Sequence, residues 1–466
     1  MNKSLVKTPM RVLDPLFRST CFEEVSLGYN LDEAMLEAER CLECKHKPCV
    51  SMCPVRIDIP GFIHEIKKGD INKAYHIISK SSLLPGVCGR VCPQEAQCES
   101  VCVRKIKGES VGIGRLERFV ADYMRNKEDN HFSEVIERKE KVAIVGSGPA
   151  GLYCAHDLRK LGYQVTLFEA LHAFGGVLLY GIPEFRLPKA IVELEVQKLE
   201  KMGVLLKKNI IIGKTYTIED LFLDGYQAIF IGTGAGLPKF LGIPSEMLSG
   251  VYTANEYLTR VNLMKAYQEK TVTPIHIGRK VAVIGGGNVA MDAARSAKRL
   301  GAKEVFIIYR RSLEEMPARL EEVHHAIEEG IIFHHQSHPI EIFGNESHFV
   351  KRIRCVKMGL GEKDASGRRK PYIIEGSSFD IDVDDVIIAI GTTPNPLIKI
   401  TTPSLSTNTY GCITIDESGK TSMKGVYAGG DVVTGSATVI SAMEAGRKAA
   451  DAMNHYLNEL SSNVLR

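Results

Sequence analysis

No apolar run in the 466-residue chain approaches the ~20 residues that a membrane-spanning helix requires, so an integral membrane protein is not expected. The N-terminal stretch MNKSLVKTPMRVLDPLF has no continuous apolar segment of the kind a secretory signal carries. Excess charge is also missing. Fifty-nine lysines and arginines stand against 56 acidic residues, and a formal net charge of +3 singles out neither nucleic acid nor an anionic membrane as a partner. There is no low-complexity stretch, and the one internal repeat is a glycine-rich unit that occurs twice. With 44% hydrophobic and 25% charged residues, the composition is that of an ordinary soluble chain, and its length suggests about three domains. A cytoplasmic location is the expectation.

Cysteine, by contrast, is plentiful and unevenly placed. Nine of the 12 cysteines lie within the first 102 residues, and eight of those fall in two tight groups. Cys154, Cys355 and Cys412 are isolated and read as small buried hydrophobes. In a cytosolic chain such clustering points to metal or redox chemistry rather than to structural disulfides. The first group is Cys41-x2-Cys44-x4-Cys49-x3-Cys53-Pro54; the second is Cys88-x3-Cys92-Pro93 followed by Cys98-x3-Cys102. The first is close to the bacterial ferredoxin pattern, in which the cysteine before proline ligates the other cluster of a pair. Eight such cysteines suit two [4Fe–4S] clusters better than one. Zinc also accepts the C-x2-C spacing, and spacing alone does not distribute ligands between two clusters.

These cysteines sit in a region, 1–130, patterned for short helices, where Asn30 and Glu33 look like a capping pair opening the segment LDEAMLEAERCLEC. The polar stretch RNKEDNHFSEVIERKEK reads as a linker or an exposed helix end. From there to about residue 450, apolar strands alternate with helical segments, which predicts an α/β architecture of parallel sheets covered by helices.

Two strand–turn–helix units stand out. In KVAIVGSGPAGLYCAHDLRKLGYQVTLFEA, Gly146, Gly148 and Gly151 form G-x-G-x-x-G. The first glycine permits the tight turn, the second lets a pyrophosphate approach the backbone, and the third lets helix and strand pack closely. Glu169 ends the second strand, placed to accept hydrogen bonds from a ribose diol. In KVAVIGGGNVAMDAARSAKRLGAKEVFIIYRRS, Gly285 and Gly287 repeat the turn around Asn288, with Ala290 as an allowed third position. Here the strand ends in Arg310-Arg311 instead of an acid, which suits the 2′-phosphate of NADPH.

Two such units suggest a flavoprotein holding FAD and NADPH. The segment GVYAGGDVVTGSATVISAMEAGRKAA supports this: by its resemblance to the second flavin signature of two-dinucleotide reductases, Gly430 and Asp431 face the ribityl chain. A helix starting near Thr438 would aim its N-terminal amides at the flavin. The motif order places a 253–390 NADPH domain inside an FAD domain formed by 138–252 and 391–466. IGTGAG at 231–236 and AIGTTPNP at 389–396 resemble the crossover strands between the two.

The motifs CLEC, CPVRIDIPGFI, CGRVCPQEAQCESVC, GIGRLERFVADY, GSGPAGL, GGVLLYGIPEFRLPK and YRRSLEEMPA cover nearly the whole chain. Together they resemble the small (beta) subunit of NADPH-dependent glutamate synthase. They are equally similar to the large subunit of NADH-dependent reduced ferredoxin:NADP+ oxidoreductase and to the N-terminal half of dihydropyrimidine dehydrogenase. The resemblance implies one cluster on Cys41, Cys44, Cys49 and Cys102, and another on Cys53, Cys92, Cys98 and a non-cysteine ligand, Glu117. Some relatives have glutamine at the last position. Cys88 is then not a ligand, although its spacing suggests one, and it stands as the substitute for Glu117. The resemblance further implies that Gly175, Gly176 and the loop from Gly181 through Glu184 to Arg186 pack around the flavin, with Glu315, Met316 and Pro317 on the nicotinamide side.

The expected function is that of an electron-transfer subunit: hydride passes between NADPH and FAD, and two clusters carry electrons to or from a partner. The chain ends just after the flavin signature, with neither a glutaminase nor a uracil-reducing barrel, so a partner subunit is expected. A glutamate synthase large subunit is the first expectation. The alternative is a ferredoxin-reductase-like partner in a bifurcating transhydrogenase. A thioredoxin reductase would need a redox C-x-x-C in the second nucleotide unit, which has none. A redox sensor or scaffold would carry a damaged cofactor signature, and all three look intact.

Overall fold

A computed structural model of the chain describes residues 2, 4–125, 127, 136–364 and 367–464; the polar stretch after residue 125 lies largely outside the described residues. The N-terminal region is built of short helices, among them Leu31–Ala38, Ile59–Lys67, Ile71–Ser79, Pro85–Val91 and Ile113–Met124. Asn30 and Glu33 form the expected reciprocal cap: the Glu33 amide donates to Asn30 Oδ1 at 2.8 Å and the Asn30 amide to Glu33 Oε2 at 2.7 Å. Proline occupies the first turn of Pro48–Met52, Ile59–Lys67 and Pro85–Val91, where its missing N–H costs no intrahelical bond. Pro85–Val91 crosses Ile113–Met124 tightly because position 89 is glycine. A Cβ there would lie 2.6 Å from the Arg118 amide nitrogen. That crossing sets the Cys88–Cys92 segment beside Glu117.

Two five-stranded parallel sheets follow. The first has the order Val426–Ala428, Tyr226–Ile231, Lys141–Val145, Gln164–Phe168, Leu205–Lys207. The second runs Ile332–His335, Glu304–Tyr309, Lys280–Ile284, Asp385–Ile388, Val251–Thr253. Their central strands are continuous apolar runs, as strands covered on both faces must be. Because Val426–Ala428 pairs with Tyr226–Ile231, the chain leaves the first sheet, builds the second, and returns: one nucleotide unit is inserted in the other. Leu237–Pro238 and Thr392–Thr393 pair antiparallel at the two crossings. A smaller antiparallel sheet, led by Ser337–Gly344 and Val350–Lys363, is appended to the inserted unit. The N-terminal helices share one apolar core with the first unit, running from Phe62 and Ile66 to Leu178, Val192 and Met443.

Candidate functional site

Both glycine turns are locked by close approach. Gly146 has φ +99°, and a Cβ there would lie 2.5 Å from the Gly232 carbonyl oxygen. A Cβ on Gly151 would lie 1.9 Å from the carbonyl oxygen of Gly146. Gly148 and Gly287 have open space where a side chain would stand, and the helices they precede, Pro149–Lys160 and Asn288–Arg299, have no side-chain cap. Backbone amides at two helix N-termini therefore face space that a pyrophosphate fits.

That space is one continuous cavity of about 1490 Å³. Gly146, Gly148, Glu169, Gly176, Arg186, Gly430, Asp431 and Thr438 line one part of it; Gly285, Gly287, Asn288, Arg310 and Arg311 line another. Gly151, Gly175 and Ala290 stand behind this wall. Glu169 accepts the Ser147 amide at 3.0 Å and the Leu171 amide at 2.8 Å, so its carboxylate also pins the turn. The Gly175 amide donates to Ser147 Oγ at 2.9 Å, tying the second glycine pair to the same loop. Asp431 accepts the Ala437 amide at 3.1 Å, and burial pushes its carboxyl up. The long helix Val439–Val464 begins beside Thr438, whose Oγ1 accepts the Ser441 amide at 3.2 Å. Glu184 accepts the Lys189 amide at 3.1 Å, and Glu315 is paired with Arg369 at 3.1 Å. Neither of these two, nor Met316, lines the cavity; Pro317 does.

Arg310 and Arg311 differ. Arg310 is exposed at the cavity, whereas Arg311 is buried and donates to the Arg369 carbonyl at 2.8 Å and to Asp364 at 2.7 Å. Arg368 and His338, both from the antiparallel sheet region, line the same end and carry no sequence signal that marks them. Partial desolvation at the cavity wall, and then repulsion from Arg311, holds the Arg310 pKa below its ordinary value.

In the N-terminal region, Cys41, Cys44, Cys49 and Cys102 line one small cavity, each half-buried. A second group lies deeper. Burial raises the pKa of Cys53 to about 11 and also pushes that of Cys98 well up, and in both cases Glu117 and Cys92 are close enough to add to the shift. Glu117 is itself buried, its Oε1 has no hydrogen-bond partner, and burial alone pushes its carboxyl up to about 8. An unpartnered buried carboxylate among three thiols is costly by itself and suits a cationic iron ligand set. Cys88 is also near Cys92, but its sulfur lies 3.6 Å from Met443 Sδ, on the helix that borders the dinucleotide cavity. Among the described residues no three His, Cys, Asp or Glu side chains are grouped to hold a single metal ion. The four cysteines of the outer group line one small cavity together. The residues present fit iron–sulfur clusters. Val91 and Pro93 line the dinucleotide cavity, so the segment that carries Cys92 reaches its wall.

Two nucleotide units opening on one cavity, joined to a cysteine-lined helical module, define an NAD(P)H-dependent flavin oxidoreductase with an iron–sulfur domain. Residues 18–129 match the family described as dihydropyrimidine dehydrogenase domain II, 4Fe-4S cluster, and 140–446 match pyridine nucleotide-disulphide oxidoreductase. The chain is 35% identical over 461 residues to the glutamate synthase [NADPH] small chain of Escherichia coli (strain K12), spanning 97% of this chain and 96% of that one. It is 37% identical over 437 residues to the NADP(+)-dependent formate dehydrogenase subunit beta of Moorella thermoacetica, covering 88% of this chain and 60% of that relative. The chain belongs to the glutamate synthase small-chain family. Mycobacterium tuberculosis FprA in complex with NADPH shares the fold, with a TM-score of 0.59 at 20% identity over 70% of this chain and 86% of that one. Among the described residues no helix is long and apolar enough to cross a membrane.

Proposed function

We propose that the chain exchanges hydride between NADPH and FAD and passes electrons through two [4Fe–4S] clusters to or from a partner subunit, a glutamate synthase large subunit. Bound FAD supplies the change from hydride to single-electron chemistry; the protein supplies binding and position. The domains are 1–130 for the clusters, 138–252 with 391–466 for FAD, and 253–390 for NADPH.

The Gly148 amide and the first turn of the helix Pro149–Lys160 cradle the flavin pyrophosphate, Glu169 takes the ribose, and Gly175, Gly176, Gly430 and Asp431 hold the middle of the cofactor. Thr438 starts the helix whose amides face the flavin ring, and Arg186, on the Gly181–Arg186 loop, closes the wall around the flavin. Gly285, Gly287, Asn288 and Ala290 form the NADPH turn. Arg310 meets the 2′-phosphate, with Arg311 behind it. Cys41, Cys44, Cys49 and Cys102 hold the outer cluster; Cys53, Cys92, Cys98 and Glu117 hold the inner one.

The observation that carries this reading is that one cavity takes both nucleotide turns and reaches the residues on either side of Cys92. The outer cysteine group is half-buried, as an exit to a partner requires, while Cys53, Cys92 and Cys98 of the inner group are buried. The formate dehydrogenase relative, of comparable identity, makes the partner the point most in need of test. Anaerobic affinity purification from native extract should recover a large glutaminase-type chain in stoichiometric amount. Recovery of a ferredoxin-reductase-like flavoprotein or a formate dehydrogenase subunit would contradict that assignment while leaving the NADPH chemistry in place.

A further inference from the structure

Arg319 joins the second nucleotide turn to the segment that carries Cys92. On one side, the strand of residues leading to it is strapped to the glycine turn. The Ala318 amide donates to the Gly286 carbonyl at 3.2 Å, and the Arg319 amide donates to Asn288 Oδ1 at 3.0 Å. Pro317, two residues earlier, lines the cavity. On the other side, the Arg319 guanidinium crosses to the cysteine module. Nη1 donates to the Arg90 carbonyl, Nη2 to Gln94 Oε1 at 3.0 Å, and the Leu320 amide adds a bond to Glu95 at 3.1 Å. Gln94 in turn donates to the Cys88 carbonyl at 3.2 Å. Arg90 and Gln94 each stand two residues from Cys92, and the Gln94 side chain packs over Gly114, one helical turn before Glu117.

The chemistry of the contact is specific. Arg319 is buried, its Nε makes no hydrogen bond, and two carboxylates flank it, Glu321 at 2.9 Å and Glu95 at 3.8 Å. Even with these carboxylates beside it, a buried guanidinium that directs two donors to a carbonyl and an amide oxygen of another segment carries a desolvation cost that apolar residues packed there would not. What it does provide is a directional link: a shift of the glycine turn at Gly286–Asn288 pulls on the Cys92 segment, and the reverse. Arg319 itself does not line the cavity.

We propose that Arg319 is a positioning residue that couples occupancy of the second nucleotide turn by NADP(H) to the conformation of the segment carrying Cys92. The inference rests on the function proposed above and goes further, because it makes the inner ligand set responsive to the nucleotide. Coupling of this kind is reciprocal.

The test uses the full chain loaded with flavin and clusters, with NADP+ as the probe. Saturating NADP+ is expected to slow backbone amide exchange across 88–98 by about threefold or more and to alter the EPR line shape of the dithionite-reduced protein. In Arg319→Met, NADP+ should bind with a Kd within about threefold of wild type, because no cavity contact is lost, yet both responses should vanish. Arg319→Lys should restore part of them. Gln94→Leu, which removes half the link without touching Arg319, should weaken them. Wild-type responses in Arg319→Met overturn the proposal, as does a wild type that binds NADP+ with no change at 88–98. A wild type that binds no NADP+, or shows no cluster signal with dithionite, overturns the underlying function and the coupling with it.

Discussion

Arg186 Nη1 donates to Asp292 Oδ2 at 2.8 Å, and this buried pair ties the flavin-side loop of the first nucleotide unit to the long helix of the second. It is the cavity end of a larger network. Arg186 also lies 3.4 Å from Glu322, Glu322 pairs with Arg295, and Arg295 and Arg299 share Glu329 with Arg18 from the N-terminal region. Phe185 is roofed by Arg299 at 3.9 Å and Arg295 at 4.8 Å. All three parts of the chain thus meet in one set of compensated charges. Asp292 Oδ1 remains without a partner, and burial pushes that carboxyl up to about 6.

The network should govern acid stability. Burial would raise Glu322 and Glu329, but the surrounding guanidiniums outweigh it: Arg186 and Arg295 at Glu322, Arg299 and Arg295 at Glu329. Both are held at about 2, below the ordinary 4.5. A depressed folded-state pKa contributes stability that is complete above 4.5 and is lost as pH falls toward 2. Glu329→Gln should cost about 3 kcal/mol or more at neutral pH and flatten that acid limb, both read from urea melts across the pH range. Equal stability and an unchanged limb would show that the pairs carry no net weight.

Gly151→Ala should empty the flavin site. The new Cβ would lie 1.9 Å from the Gly146 carbonyl, and overpacking of this kind costs about 1–3 kcal/mol. Purified variant protein should carry less than about a tenth of the wild-type flavin, judged by absorbance after heat release. Full flavin content would mean that the turn relaxes and that the glycine spacing is not what holds the cofactor.

Glu117 and Cys88 are to be separated directly. With Glu117 as a ligand, Glu117→Ala should lose roughly four of about eight irons per chain, while Cys88→Ser should keep them. Iron analysis with Mössbauer spectra reads the outcome. The opposite pattern would make Cys88 the ligand and leave the buried Glu117 carboxyl as a second-rank neighbour.

Arg310→Ala should weaken NADPH binding by about 1.5–3 kcal/mol, the worth of a charge-assisted hydrogen bond, and leave NADH binding nearly unchanged. Arg311→Ala should show the smaller nucleotide effect and the larger loss of thermal stability, since Arg311 is already bonded to Arg369 and Asp364. Titration calorimetry with both nucleotides decides the matter.

The contrast between these two arginines shows what a sequence can and cannot convey. Both follow the end of Glu304–Tyr309 and both reach the cavity, but Arg310 is exposed there while Arg311 is buried and bonded to Arg369 and Asp364. Doublet identity alone does not say which faces the nucleotide. The inserted α/β architecture was legible because phosphate-binding turns need small residues at fixed spacing after an apolar strand. The order of motifs then carried the insertion. The cysteine spacing likewise marked an iron–sulfur module. Contacts that join distant segments left no such trace: Arg18 to Glu329, Arg319 to Arg90, and Arg368 and His338 at the nucleotide end. Glu315 and Met316 follow the motif in sequence, yet Glu315 is drawn to Arg369 on the neighbouring hairpin and away from the cavity.

The central claim is that one cavity feeds electrons from NADPH to the cysteine module. Stepwise anaerobic addition of NADPH to the loaded chain, followed by absorbance and EPR on the same samples, tests it most directly. The account predicts bleaching of the flavin band together with growth of iron–sulfur signals, and loss of those signals in a Cys92→Ser variant whose flavin still bleaches. Bleaching with no cluster signal in the wild-type chain would contradict it.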